Sequence, residues 1–150
     1  MAQSLSCLHV HLIFSTKERA SLISDAIRDE LHAYTATVLH GLDCEPRLVN
    51  SMEDHVHALF DLARTRCVSD VVKEIKTSSS KWIKTKGSSF AKFAWQNGYA
   101  AFAVSVSNTT QVRSYIANQH EHHRDRTFQD ELRRLLERHN VLYDERYVWD

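Results

Sequence analysis

The chain has 150 residues, 43% of them hydrophobic, and its 19 basic and 19 acidic side chains leave no formal net charge. That length suits one ordinary domain with a sizeable core, residues 1–150, and the zero net charge argues against a protein that coats nucleic acid nonspecifically. Three glycines and one proline leave little scope for flexible linkers, and no apolar run is long enough to span a membrane. Met1 to Leu8 lacks the pattern of a secretory leader. The scattered Cys7, Cys44 and Cys67 read as reduced structural thiols, which predicts a cytoplasmic protein.

Alternation of apolar residues predicts a first strand over Cys7 to Phe14. A helix follows over Ser24 to His40, with Ile27, Leu31, Tyr34 and Val38 at helical spacing and Gly41 marking its end. Glu45 to Asn50 reads as a second strand, Ser51 to Asp54 as a turn, and His55 to Leu62 as a third strand. On that strand Val56, Ala58, Phe60 and Leu62 share one face, and His55, His57, Leu59 and Asp61 the other. Val68 to Lys84 reads as a second helix, Lys86 to Gly98 as a loop closed by the turn pair Asn97-Gly98, and Tyr99 to Val106 as a fourth strand. A third helix is predicted over Asn108 to His123, opened by a capping box of Asn108 and Gln111, and a fourth over Phe128 to His139. The aromatic tail, Tyr143 to Trp149, is expected to dock. The order predicts an α+β fold: a ferredoxin-like βαββαβ core with an antiparallel four-stranded sheet, then a C-terminal helix bearing Tyr115 and one further helix. In that arrangement the first and third strands are central neighbours.

Ten histidines include three His-x-His pairs, His9-Val10-His11, His55-Val56-His57 and His120-Glu121-His122. On a strand, residues two apart point to the same face, so two imidazoles can converge on one ion while the residue between them enters the core. Both strand pairs meet that condition and could share one sheet face. His120 and His122 diverge if they lie on a helix. Structural histidines at the rim of a core are the plainer reading of any one pair.

Tyr115 and Gln119 are four apart, hence neighbours on a helical face. A tyrosine there is often core packing with a wet hydroxyl. Its other use is as a nucleophile, which needs a neighbouring cation because a phenol keeps its proton at neutral pH. Gln119 could add a neutral oxygen ligand to two imidazoles. Such mixed ligation suits Mg²⁺ or Mn²⁺ acting on phosphate, although imidazole also suits Zn²⁺. A basic run suggests one anionic-facing side, although a run of this kind taken alone is more often a solvated helix face. From Arg64 to Lys86, seven basic residues (Arg64, Arg66, Lys73, Lys76, Lys81, Lys84, Lys86) face only Asp70 and Glu74.

Five stretches together carry a resemblance: His11 to Arg19, Met52 to His57, Val72 to Lys81, Trp95 to Tyr99, and Tyr115 to Gln119. With them the chain resembles the single-tyrosine HUH transposases of the insertion-sequence 200/605 type and their relatives associated with repetitive extragenic palindromes. The resemblance implies Tyr115 as nucleophile and His55, His57 and Gln119 as ligands of Mg²⁺ or Mn²⁺. It implies cleavage and rejoining of single-stranded DNA at hairpin-bearing element ends, a 5′-phosphotyrosine intermediate, and a homodimer. His11 matches a recurrent first-strand histidine, in a supporting or DNA-facing place, whereas His9 has no counterpart. Charge and position make Lys17, Arg19, Lys73, Lys76 and Lys81 candidate phosphate contacts. His120, His122 and His123 follow Gln119 closely enough to replace or supplement it. Two other readings stay open: a domesticated endonuclease of the same chemistry, and a non-catalytic ferredoxin-like module that binds nucleic acid.

Overall fold

The computed structural model describes residues 2–150. Four strands, β1 (His9–Ser15), β2 (Glu45–Ser51), β3 (His55–Asp61) and β4 (Ala100–Val104), form one sheet in the order β2-β3-β1-β4. All pairings are antiparallel, with β1 and β3 at the centre as the element order predicts. The helices are α1 (Asp25–Gly41), α2 (Val68–Lys84), α3 (Thr109–Ala117), α4 (Gln119–His122) and α5 (Phe128–Arg138). Among the described residues no helix is long and apolar enough to cross a membrane.

Period-two alternation divides the sheet into two faces. Val10, Leu12 and Phe14 of β1 and Val56, Ala58 and Phe60 of β3 meet Ile27, Leu31 and Leu39 of α1 and Val71, Val72 and Ile75 of α2 in the larger core. The other face carries His9, His11 and Ile13 of β1 and His55, His57 and Leu59 of β3, all buried. A smaller apolar cluster covers part of it, joining Ile13 and Phe102 to Phe128, Leu132 and Leu136 of α5. The histidine face is therefore roofed, and α5 supplies the roof.

Several boundaries differ from the periodicity. Cys7 and Leu8 precede β1 rather than opening it, and β4 is shorter at both ends than Tyr99 to Val106. On α1 the buried stripe runs through Thr35 and Leu39, while Tyr34 turns aside to stack on Trp82 at 5.1 Å. The chain reverses after α1 at Asp43, whose φ is 58°, rather than at Gly41. The third helix is not continuous to His123: it breaks at Asn118 (φ −97°, ψ 26°) and resumes as α4. Nor does Asn108 cap α3, since its side chain makes no cap hydrogen bond. The capped helix is α5, where the Thr127 hydroxyl accepts from Asp130 N at 3.2 Å. The aromatic tail docks as predicted: Tyr143, Val148 and Trp149 pack on the smaller cluster, and the Asp150 carbonyl accepts from Gly98 N at 2.8 Å.

Candidate active site

Strand periodicity places His55 and His57 side by side on β3, with ring centroids 5.3 Å apart, and both are fully buried. Each commits one ring nitrogen to a fixed partner and turns the other inward. His55 Nδ1 lies 2.6 Å from Asp54 Oδ1. His57 Nδ1 lies 2.8 Å from Nε2 of His11 on the adjacent strand. Partners of this kind set imidazole orientation at metal sites.

The two inward Nε2 atoms meet a residue that sequence reasoning missed. Glu131 of α5 is 1% exposed, and its Oε1 lies 2.9 Å from His57 Nε2 and 3.4 Å from His55 Nε2. His57 therefore donates from Nε2 to the carboxylate and accepts at Nδ1 from the His11 Nε2–H. The second carboxylate oxygen, Oε2, accepts from the Tyr115 hydroxyl at 2.5 Å and from Gln119 Nε2 at 3.2 Å. Gln119 turns its own oxygen to His55 Nε2 at 3.2 Å and to His123 Nε2 at 3.1 Å. The break at Asn118 carries this buried amide into the site. Tyr115 is held by His122, stacked on its ring at 4.5 Å, and by the edges of His11 and His57.

The electrostatics follow from one buried anion among imidazoles. Burial pushes the Glu131 carboxyl up, but hydrogen bonds from His123, His55 and His57 outweigh it and hold the group well below the usual carboxylate range. Burial opposes charge on His55 too, yet the Asp54 and Glu131 carboxylates raise it from 6.5 to about 9. His57 is lowered by burial in spite of Glu131, and His11 well below 6.5 by burial and by His57. Burial, then the Glu131 charge, push the Tyr115 hydroxyl far above an ordinary phenol.

The donor set fits a divalent cation. His55, His57 and Glu131 each offer an atom within 4.8 Å of the others. The two inward nitrogens are pre-oriented, and the Gln119 oxygen stands beside them. Two imidazoles, a carboxylate and an amide oxygen suit several divalent ions.

With this geometry in place, comparison with known proteins decides the family. The family model described as "Transposase IS200 like" matches residues 4–119. The chain belongs to the IS200-like transposase family. It is 25% identical over 119 residues to the ISDra2 transposase TnpA of Deinococcus radiodurans, a match covering 76% of this chain and 85% of that one. A crystal structure of a Deinococcus radiodurans R1 protein assigned as a transposase is 25% identical and superposes with a TM-score of 0.62, covering 79% of this chain and 98% of that one. The structure of a REP-associated tyrosine transposase bound to a REP hairpin shares the fold at a TM-score of 0.61 and 14% identity, covering 82% of this chain and 72% of that one. Glu131 lies beyond the stretch that the IS200-like family model matches.

Of the other candidates of this IS200-like transposase, His11 adjoins the site, and the lysines and Arg19 lie apart. His11 is buried behind His57 and supports that ring. Lys76 is half-buried: its ammonium donates to the carbonyls of Gln96 (2.8 Å), Asn97 (3.3 Å) and Gly98 (2.6 Å), and burial lowers it to about 8. It clamps the turn before β4. Lys73 is exposed in an open groove between α2 and the 93–99 loop, where Lys84 and Tyr99 also lie. Lys81, also exposed, stands outside that groove, and Lys17 is exposed after β1. Arg19 sits over the Trp149 ring at 5.8 Å. A cleft of about 250 Å³ opens beside Tyr115, with Asn108, Gln111, Arg138 and Phe102 in its walls.

Proposed function

We propose that this transposase cuts and rejoins single-stranded DNA at hairpin-bearing ends, with Tyr115 as the nucleophile. The observation that carries the reading is the convergence of the Tyr115 hydroxyl, the inward nitrogens of His55 and His57, and the Gln119 amide on one small volume about Glu131. A tyrosine that served only packing would have no need to share a buried carboxylate with two pre-oriented imidazoles.

His55, His57 and Gln119 would hold Mg²⁺ or Mn²⁺, and Glu131 would add a carboxylate to that set. A divalent cation held there would polarise the scissile phosphate, support charge on the attacking and leaving oxygens, and offset the Glu131 charge that keeps Tyr115 protonated. Tyr115 then attacks phosphorus, the P–O3′ bond breaks, and a 3′-hydroxyl leaves while the 5′-phosphate stays on tyrosine. The bond energy is kept in that link, so the reverse attack by a 3′-hydroxyl needs no added energy source. His122 and His57 hold the phenol ring against drift, and such positioning is a large part of catalysis of this kind. His122 also has a buried Nε2 with no hydrogen-bond partner.

The strand would enter by the cleft beside Tyr115, where the Asn108 and Gln111 amides and the Arg138 guanidinium line an apolar floor. Lys73, with Lys84 and Tyr99, offers a second surface for phosphate and base stacking. Lys17, Arg19 and Lys81 remain candidates for backbone contacts, and Lys76 lines the Lys73 groove while bonded to three carbonyls. The hairpin in the structural relative supports a hairpin substrate here. A homodimer is part of the proposal, although Tyr115 already meets the histidines of its own chain.

One observation favours a second reading, a nucleic-acid-binding module without catalysis: Glu131 already satisfies the site's polar groups. Cleavage separates the two. Single-stranded DNA from the flanks of the gene, labelled at one end, is incubated with protein and Mn²⁺ or Mg²⁺. The transferase reading predicts a shortened strand that EDTA prevents. Binding without cleavage by folded protein supports the module.

A further inference from the structure

His9 is a buried histidine that the proposed strand-transfer site leaves unused. It faces Asp61 across the β1–β3 pairing, four residues along β3 from His57, and its Nδ1 donates to Asp61 Oδ1. Asp61 is itself fixed by Arg47, through Nε to Oδ1 at 3.1 Å and Nη2 to Oδ2 at 2.5 Å. Arg47 stands where the register of β2 on β3 shifts, between Pro46 and Leu48. Three strands thus hold one imidazole in one orientation.

The other ring nitrogen meets a thiol. His9 Nε2 lies 3.3 Å from Cys7 Sγ, and Cys7 is exposed. Because Nδ1–H is committed to Asp61, a neutral His9 presents a lone pair at Nε2, and the thiol is the donor. Nucleophile, base and orienting carboxylate stand in hydrogen-bond sequence, the arrangement that activates a weak nucleophile. The other cysteines lack it. Cys44 is buried, and Cys67 is exposed but meets only the Ser69 hydroxyl, at 3.3 Å.

We propose that Cys7 is a nucleophilic thiol that takes hydroperoxides, with His9 as its proton acceptor and Asp61 as the group that positions His9. The sulfur attacks the outer peroxide oxygen. The S–O bond forms as the O–O bond breaks, and the thiol proton passes by His9 to the departing oxygen. The sulfur is oxidised to a sulfenic acid, and the hydroperoxide is reduced to water or an alcohol. A thiol reductant reverses the change. This site is independent of the strand-transfer reading, since it shares no residue with it.

The test uses the full chain, hydrogen peroxide with dimedone as a sulfenic-acid trap, and peptide mass spectrometry, with Cys67 as an exposed comparator in the same molecule. Cys7 is expected to be labelled at least about tenfold faster than Cys67, in line with a positioned base. Asp61→Asn and His9→Gln should each remove most of that advantage, with folding checked by circular dichroism. If one variant fails to fold, the other decides. Equal labelling of Cys7 and Cys67, or an undiminished advantage in a folded variant, overturns the proposal.

Discussion

The Tyr115 hydroxyl donates to Glu131 Oε2 at 2.5 Å, across sixteen residues and from one helix to another. The same carboxylate receives His57 on its other oxygen. Glu131 therefore joins the tyrosine to the histidines, and its removal should be felt both in stability and in the binding of added metal.

Glu131→Gln keeps the volume and removes the charge that pairs with His55. Breaking a buried pair leaves an uncompensated partner, so the metal-free protein should lose about 3 kcal/mol. Urea denaturation in EDTA measures this. An unchanged midpoint would mean that the carboxylate contributes nothing to the fold.

Asp54→Asn tests the orientation of His55 from outside the proposed ligand set. Asp54 holds His55 Nδ1 at 2.6 Å and offers no atom to the converging set. Loss of such a partner typically weakens metal affinity by about 10- to 100-fold. Titration of Mn²⁺ by calorimetry should show that loss, and His57→Ala should abolish binding. Full affinity in Asp54→Asn would remove Asp54 from the site.

The pH dependence has a definite sign. His55 is raised from 6.5 to about 9 in the fold, so its contribution to metal-free stability is whole below pH 6.5 and is lost as pH rises through about 9. A metal needs neutral His55, so binding must displace that proton. The gap between melting temperatures with and without Mg²⁺ should therefore widen from pH 6.5 to 9. A gap that is flat over this range would contradict ligation by His55.

Two lysines on α2 should part company. Lys76→Met strips three carbonyls of their donor and should cost about 1–3 kcal/mol of stability. Lys73→Ala, at an exposed position, should leave stability unchanged and lower the salt slope of DNA binding by about one. Fluorescence anisotropy over a salt series checks the second. An unaltered slope would take Lys73 out of the interface.

Much of this was legible in the residues. Period-two patterning on β1 and β3 predicts both sheet faces, and element order predicts that these strands are central. The i, i+4 spacing predicts that Tyr115 and Gln119 are near neighbours, and the site keeps them so despite the break at Asn118. Glu131 escaped because a helical carboxylate is usually solvated. Its signal was its place in the stripe Phe128, Leu132 and Leu136, all buried. A charge on an apolar face needs a buried partner, but which partner depends on how α5 crosses the sheet, and spacing within α5 carries no record of that. The bonds of Lys76 were hidden for the converse reason: composition registers its charge, while the carbonyls that it meets belong to residues twenty and more positions away.

The most direct test of the central claim is covalent capture. Protein and single-stranded DNA from the flanks of the gene, labelled on the 3′ side of the cut, are mixed with Mn²⁺ or Mg²⁺, denatured, and digested for mass spectrometry. The account predicts nucleotide attached through its 5′-phosphate to the peptide bearing Tyr115, and none with EDTA or in Tyr115→Phe. An adduct that persists in Tyr115→Phe, or one mapped to Tyr99 or Tyr34, would contradict it.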